Sequence, residues 1–145
     1  MARKITIIDR YGFDPGKKRE FSLFQERVSA GFPSPADDYV EKKLDLNEYL
    51  VENPSATFFV RVEGDSMINA GIHSGDILVV DRSLKPANNR IVIFMVNGEL
   101  TVKRLCRKKG IFYLVPENEA FDEIELNDSM DCQSWGVVTG VIRKI

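Results

Sequence analysis

Two stretches far apart in this sequence carry side chains that could do covalent chemistry together. They are Gly64-Asp65-Ser66-Met67 and Thr101-Val102-Lys103-Arg104. A serine hydroxyl is a poor nucleophile until a neighbouring base takes its proton, and a desolvated, neutral lysine can be that base. Gly64 permits a sharp turn that a side chain would block. Backbone N–H groups turned outward beside Ser66 would be the donors that acyl transfer needs for a tetrahedral oxyanion. The plainer reading is that Asp65 or Ser66 caps a short helix beginning near Met67. From the tetrapeptide alone, capping is the preferred reading.

Lys103 carries the discriminating argument. Asn97-Gly98 between two apolar runs is a strong hairpin signal. A two-residue loop there pairs Val96 with Glu99, Phe94 with Thr101 and Val92 with Lys103. Lys103 then shares a face with Val92, Phe94, Thr101 and Leu105. Burial on that face favours the neutral amine and lowers the lysine pKa, and a neutral amine near pH 7 is what a general base must be. The alternative is a lysine that snorkels to solvent from a strand edge. Spacing alone leaves both readings open, and leaves open whether Ser66 and Lys103 meet.

A third stretch, Ala30-Gly31-Phe32-Pro33, has the look of something such a pair could cut. Small residues on both sides of the Ala30–Gly31 bond let a backbone enter a narrow site. Phe32 offers an anchor, and Pro33 and Pro35 keep the segment extended. Unaided, an ordinary loop is the preferred reading. The linker from Gly31 to Ser66 could span roughly 100 Å at full stretch, so cleavage within one chain and across a dimer both fit.

The elements that must position these residues read as mostly β. Strands are expected at Thr57–Val62, Ile77–Asp81, Ile91–Val96, Glu99–Lys103, Ile111–Val115 and Gly136–Ile142. Together they suggest a strongly bent sheet or partial barrel. Asp45-Leu46-Asn47-Glu48 resembles a helix start, giving a short helix over 46–52 with Leu46, Tyr49 and Leu50 on its apolar side. The expected organisation is an N-terminal arm removed by self-cleavage (1–30), an extended linker with the short helix (31–54) and a catalytic β domain (55–145). The arm cannot bury a core alone and is expected to lie on the main body or on a partner.

The 145 residues suit one domain, with 43% hydrophobic and 29% charged residues and a formal net charge of −2. That balance offers nothing to track a phosphate backbone, so direct nucleic-acid binding is not expected. Arg104 and Arg107-Lys108-Lys109 read as a solvated hairpin tip. No apolar run is long enough to span a membrane and no signal-peptide pattern is evident, which gives a cytoplasmic expectation. Cys106 and Cys132 lack metal or CxxC spacing and read as free, partly buried thiols. His73, the only histidine, sits in a turn-like segment and reads as uninvolved in catalysis. Neither a metal nor another cofactor is expected.

Several motifs in order resemble the family of self-cleaving proteins typified by UmuD and LexA, the UmuD branch more closely. From Phe21 onward they are Ala30-Gly31-Phe32-Pro33-Ser34-Pro35, Asp45-Leu46-Asn47, Asn53-Pro54-Ser55-Ala56-Thr57, Gly64-Asp65-Ser66-Met67 with Gly71-Ile72, Gly75-Asp76-Ile77-Leu78-Val79-Val80-Asp81, Gly98-Glu99-Leu100-Thr101-Val102-Lys103 and Trp135-Gly136-Val137-Val138. The resemblance implies Ser66 as nucleophile and Lys103 as general base. It implies the N–H groups of Asp65 and Ser66 as the oxyanion hole and the bond before Gly31 as the self-cleavage site. It further implies a bent-sheet fold and a homodimer whose cleavage is stimulated by the RecA filament after DNA damage. The product, residues 31–145, would then join a UmuC-type translesion polymerase. Phe21-Ser22-Leu23-Phe24 is the nearest match to an arm segment linked to the sliding clamp. Three departures stand out. Asn89-Arg90 replaces the family's frequent Gly-Asp ahead of the first hairpin strand, residues 1–20 match poorly, and Ala30 rather than cysteine precedes the cut.

Other functions compete with this one. A LexA-like repressor would need a helix-turn-helix domain for which residues 1–30 are too short. A signal-peptidase-like enzyme also uses serine and lysine, but no membrane segment is read here. A non-enzymatic polymerase-binding module would leave the Ser66–Lys103 pair idle.

Overall fold

A computed structural model describes residues 3–14, 16, 20–24 and 41–145. They form two compact units, Met1–Phe13 with Asn53–Ile145, and Asp14–Glu52. The smaller unit pairs β2 (Glu20–Phe24) antiparallel with β3 (Glu41–Asp45), which runs into helix α1 (Leu46–Leu50). Asp45 caps that helix as its sequence predicts, its Oδ1 accepting from the N–H groups of Asn47 at 2.8 Å and Glu48 at 3.3 Å. The helix stops two residues short of the expected end because Val51 is already extended (φ −120, ψ 99). Leu46 and Tyr49, expected on an apolar side, are exposed; one and a half turns are too few to build a buried stripe.

The larger unit is an antiparallel sheet of eight strands that curls into a half-barrel. Its strands are β1 (Thr6–Gly12), β4 (Thr57–Glu63), β5 (Ile77–Asp81), β6 (Ile91–Val96), β7 (Glu99–Lys108), β8 (Ile111–Val115), β9 (Ile124–Glu125) and β10 (Cys132–Ile142). Their spatial order is β1-β4-β5-β10-β6-β7-β8-β9. Thus β10, last in the chain, lies between β5 and β6 and joins the two halves of the sheet. It is longer than the expected Gly136–Ile142. Its register shifts between Ser134 and Gly136 and again between Val138 and Gly140, the kind of bulge that bends a sheet.

Alternation explains the core. Phe58, Val60 and Val62 of β4 point inward, while Phe59 and Arg61 between them are half-buried. They pack with Ile5, Met67, Ile72, Leu78, Val80, Ile93 and Val102. A second cluster joins Val92, Phe94, Leu105, Leu114 and Val137. The β6–β7 hairpin has the register read from Asn97-Gly98, with Val96 opposite Glu99, Phe94 opposite Thr101 and Val92 opposite Lys103. Both loop residues have positive φ, 49° and 83°, as a type I′ turn demands.

Two details differ from the sequence reading. Residues 6–12, read as part of an arm, form edge strand β1 beside β4. Arg104 is not at a hairpin tip, because β7 continues to Lys108 and turns at Lys109-Gly110. Its half-buried guanidinium pairs with Glu117 and donates to the Asn89 carbonyl at 2.5 Å. Asn89 itself adopts φ 71°, so it supplies the left-handed turn that a glycine would otherwise provide. Both cysteines are free and half-buried. Among the described residues, no helix is long and apolar enough to cross a membrane.

Candidate active site

Strand β4 ends at Glu63, and the chain turns through Gly64 at φ +108°. Ser66 follows, fully buried, with Met67 and Ile72 anchoring the turn in the core. The helix that follows is a single 3-10 turn, Ile68–Ala70, whose N-cap position is Met67 and lacks a side-chain cap. Ser66 therefore does not act as a helix cap. Its hydroxyl is directed elsewhere.

Lys103 Nζ lies 3.3 Å from Ser66 Oγ. Thr101 Oγ1 stands 3.0 Å and the Val102 carbonyl 3.1 Å from the same nitrogen. Lys103 is only 4% exposed, so it does not snorkel. None of its three hydrogen-bond partners is a carboxylate. Burial, with a smaller push from the Lys4 ammonium, holds its pKa down at about 8, against a weaker upward pull from Glu99. A neutral amine has two hydrogens and one lone pair. The Val102 carbonyl and Thr101 Oγ1 can take the hydrogens, which leaves the lone pair for the Ser66 hydroxyl proton. The pair is thus in contact and electrostatically able to pass a proton.

The sequence reading missed the residues that surround this pair. Ile5 N–H donates to Ser66 Oγ at 3.1 Å, and Asp65 N–H donates to the Arg3 carbonyl at 2.5 Å. Arg3 N–H donates in return to Asp65 Oδ2 at 3.0 Å. Residues Arg3–Ile5 therefore lie along Ser66 and along one of the two expected oxyanion donors. Lys4 forms an ion pair with Glu99, which engages the one acidic side chain whose charge supports a protonated Lys103. The poor match of residues 1–20 to the family hid this segment. Alternation around Ile5 is its only sequence signal.

Asn118 is the other missed residue. Its Nδ2 donates to the Asp65 carbonyl at 2.8 Å, while its Oδ1 accepts from Ala120 N–H at 2.9 Å. The Asp65 carbonyl also accepts from Ile68 N–H at 3.1 Å. Because a peptide unit is planar and trans, fixing that carbonyl fixes the opposite direction of the Ser66 N–H. A groove of about 430 Å³ beside Lys103 is lined by Lys4, Glu99, Thr101, Phe121, Ile124 and Met130 among others. His73 is exposed, and its backbone N–H serves Asp76 at 2.7 Å. Ala30 and Gly31 lie outside the described residues. Among the described residues, no group of three or more His, Cys, Asp or Glu is placed to hold a metal ion.

Comparison with known proteins adds a second line. The sequence profile of the family described as Peptidase S24-like matches residues 22–139. Protein ImpA of Escherichia coli is 58% identical over 122 residues, covering 84% of this chain and 83% of its own. Protein MucA of Escherichia coli is 42% identical over 137 residues, 94% of this chain and 92% of its own. The LexA repressor of Hahella chejuensis is 41% identical over 121 residues, 81% of this chain but 59% of its own length.

Proposed function

The chain belongs to the peptidase S24-like family as a UmuD-type member, and on that premise we propose that it is a serine peptidase that cuts itself at Ala30–Gly31. The observation that carries this reading is the 3.3 Å approach of Lys103 Nζ to Ser66 Oγ, with both groups buried and no carboxylate on the amine. Neutral Lys103 takes the hydroxyl proton as Ser66 Oγ attacks the Ala30 carbonyl carbon. The oxyanion settles on the N–H groups of Asp65 and Ser66. The tetrahedral adduct collapses as the Lys103 ammonium returns the proton to the Gly31 nitrogen, and the C–N bond breaks. Water, deprotonated by Lys103, then hydrolyses the Ala30–Ser66 ester and regenerates the hydroxyl. For the oxyanion to reach Asp65 N–H, the Arg3 carbonyl has to give way.

The wider role follows from the resemblance to UmuD-type proteins. In this reading the chain is a cytoplasmic homodimer in the DNA-damage (SOS) response. Its self-cleavage is stimulated by RecA filaments on single-stranded DNA. Residues 31–145 then serve a UmuC-type translesion polymerase, and Phe21–Phe24 is the candidate clamp contact. Incubating the purified protein at alkaline pH tests the chemistry: mass spectrometry should find a fragment beginning at Gly31, absent from Ser66→Ala and Lys103→Ala. Adding RecA filaments near pH 7 tests the pathway. Acceleration supports it, and an unchanged rate removes the chain from it while leaving the self-cleavage intact.

A further inference from the structure

A cut at Ala30–Gly31 severs the backbone without undoing the contacts that hold the severed piece. The described part of that piece is 3–14, 16 and 20–24, and both of its strands pair with strands that the cut leaves behind. In the larger unit β1 pairs with β4, from Thr6 opposite Glu63 to Gly12 opposite Phe58. In the smaller unit β2 pairs with β3, from Glu20 opposite Asp45 to Phe24 opposite Glu41. Neither is a local hairpin between neighbouring residues on one side of the cut.

The attachment beside β4 is built as a socket. Ile5 is fully buried and packs in the same cluster as Val62, Met67 and Ile72. Gly64 lets the segment come close, since a Cβ there would run into the Lys4 carbonyl and stand 2.6 Å from Ile5 Cα. At the far end, the Arg10 guanidinium lies 5.1 Å from the centroid of Trp135. Asp9 faces Arg61 at 3.9 Å. Removing the segment would leave the β4 edge unpaired, an empty apolar socket at Ile5, and Glu99 without Lys4.

We propose that self-cleavage nicks the protein rather than releasing its arm: residues 1–30 stay bound to residues 31–145 as a separate chain. Their docking site is the outer edge of β4 together with the Ile5 socket beside Gly64–Ser66. This rests on the Ala30–Gly31 reading above. Binding through main-chain ladder bonds plus one buried aliphatic anchor is the logic of strand addition to a sheet edge. The arm is then a ligand that a partner offering an extended strand has to displace, and cleavage only makes that exchange possible.

The full-length protein, cut to completion at alkaline pH, returned to pH 7 and passed through gel filtration at micromolar concentration, tests this. Both fragments should elute in one peak and appear together by native mass spectrometry. Elution of residues 31–145 alone overturns the proposal. Ile5→Asp, nicked between residues 25 and 40 by an unrelated protease so that the readout does not depend on its own cutting, should lose at least tenfold in retained arm. If that variant does not fold, Ile5→Ala should show the same loss on dilution. Full retention in a folded Ile5 variant overturns the socket. If the wild type does not cut itself, the proposed function fails. A recognition site for an unrelated protease placed between residues 25 and 40 then delivers the same nick, and co-elution is read in the same way.

Discussion

The backbone N–H of Ile5 donates to the hydroxyl oxygen of Ser66. A strand-leading residue more than sixty positions away thus occupies one side of the Ser66 hydroxyl, while Lys103 occupies another. This approach depends on Gly64, whose φ of +108° and missing Cβ admit the Lys4 backbone. Gly64→Ala should both strain the turn and expel Arg3–Ile5, at a cost on the order of 3 kcal/mol. Urea denaturation gives the stability, and hydrogen exchange should show faster loss of protection at Ile5. An unchanged exchange rate would contradict the close packing.

Self-cleavage should follow the neutral fraction of Lys103. With its pKa held down at about 8, about one-tenth of the amine is neutral at pH 7 and half at pH 8. The rate should rise about fivefold between those values and gain less than a further twofold above pH 9. Quantified gels across the range would show it, and a flat profile would exclude a lysine base.

The same depressed pKa weakens the fold at neutral pH. Below about pH 8 the folded protein holds a buried ammonium whose proton the unfolded chain carries in water at no penalty. From about 8 to 10.5 the unfolded chain binds more protons than the folded one, so the Lys103 contribution to stability improves as pH rises through that window. Lys103→Met should therefore be more stable than wild type at pH 7, on the order of 2 kcal/mol. Its advantage should shrink toward pH 10. Paired thermal melts at the two values would settle the sign.

Asn118→Ala should slow self-cleavage by about tenfold or more, because the Asp65 carbonyl loses a donor and the Ser66 N–H loses its aim. Lys103 is untouched, so the apparent pKa of the rate should stay near 8. A shifted pH profile would mean that the variant disturbs the base instead.

Asp76 is buried and gripped by Arg143, with Nε 2.6 Å from Oδ1 and Nη2 2.6 Å from Oδ2. Burial pushes its pKa up, but the Arg143 hydrogen bonds and the His73 N–H outweigh it and hold the carboxyl below its ordinary value. That contribution is present above the unfolded pKa near 4 and lost as pH falls through the lower folded value. Arg143→Met leaves the Asp76 carboxylate without its cation and should lower stability at pH 7. The deficit should narrow in acid, measurable by denaturation at pH 7 and pH 3.

Legibility in the sequence followed locality. The Asn97-Gly98 turn fixed the β6–β7 register and hence the face of Lys103, because a two-residue loop leaves no freedom. Asp45 announced α1 in the same way. The apolar runs of β5 and β8 were plain. Beyond reach were pairings set by distant chain. Strand β1 is mostly exposed, so no alternation marks it except at Ile5, and its partner is fifty residues on. Asn118 contacts Asp65 from a loop that carries no periodic signal. The approach of Ser66 to Lys103 was likewise invisible to spacing, since the two stretches are joined through the sheet and not through adjacent sequence.

Strand β10 has a consequence for timing. Ser66 follows the β4 side of the sheet and Lys103 rides on β7, and residues 132–142 are the seam between those halves. While a ribosome still encloses that seam, the hydrogen-bonded ladders that run from β5 to β6 through β10 are missing. A chain under synthesis therefore lacks the ladder that spans the sheet until residues 132–142 have left the tunnel, and any chemistry that needs the whole sheet has to wait for them.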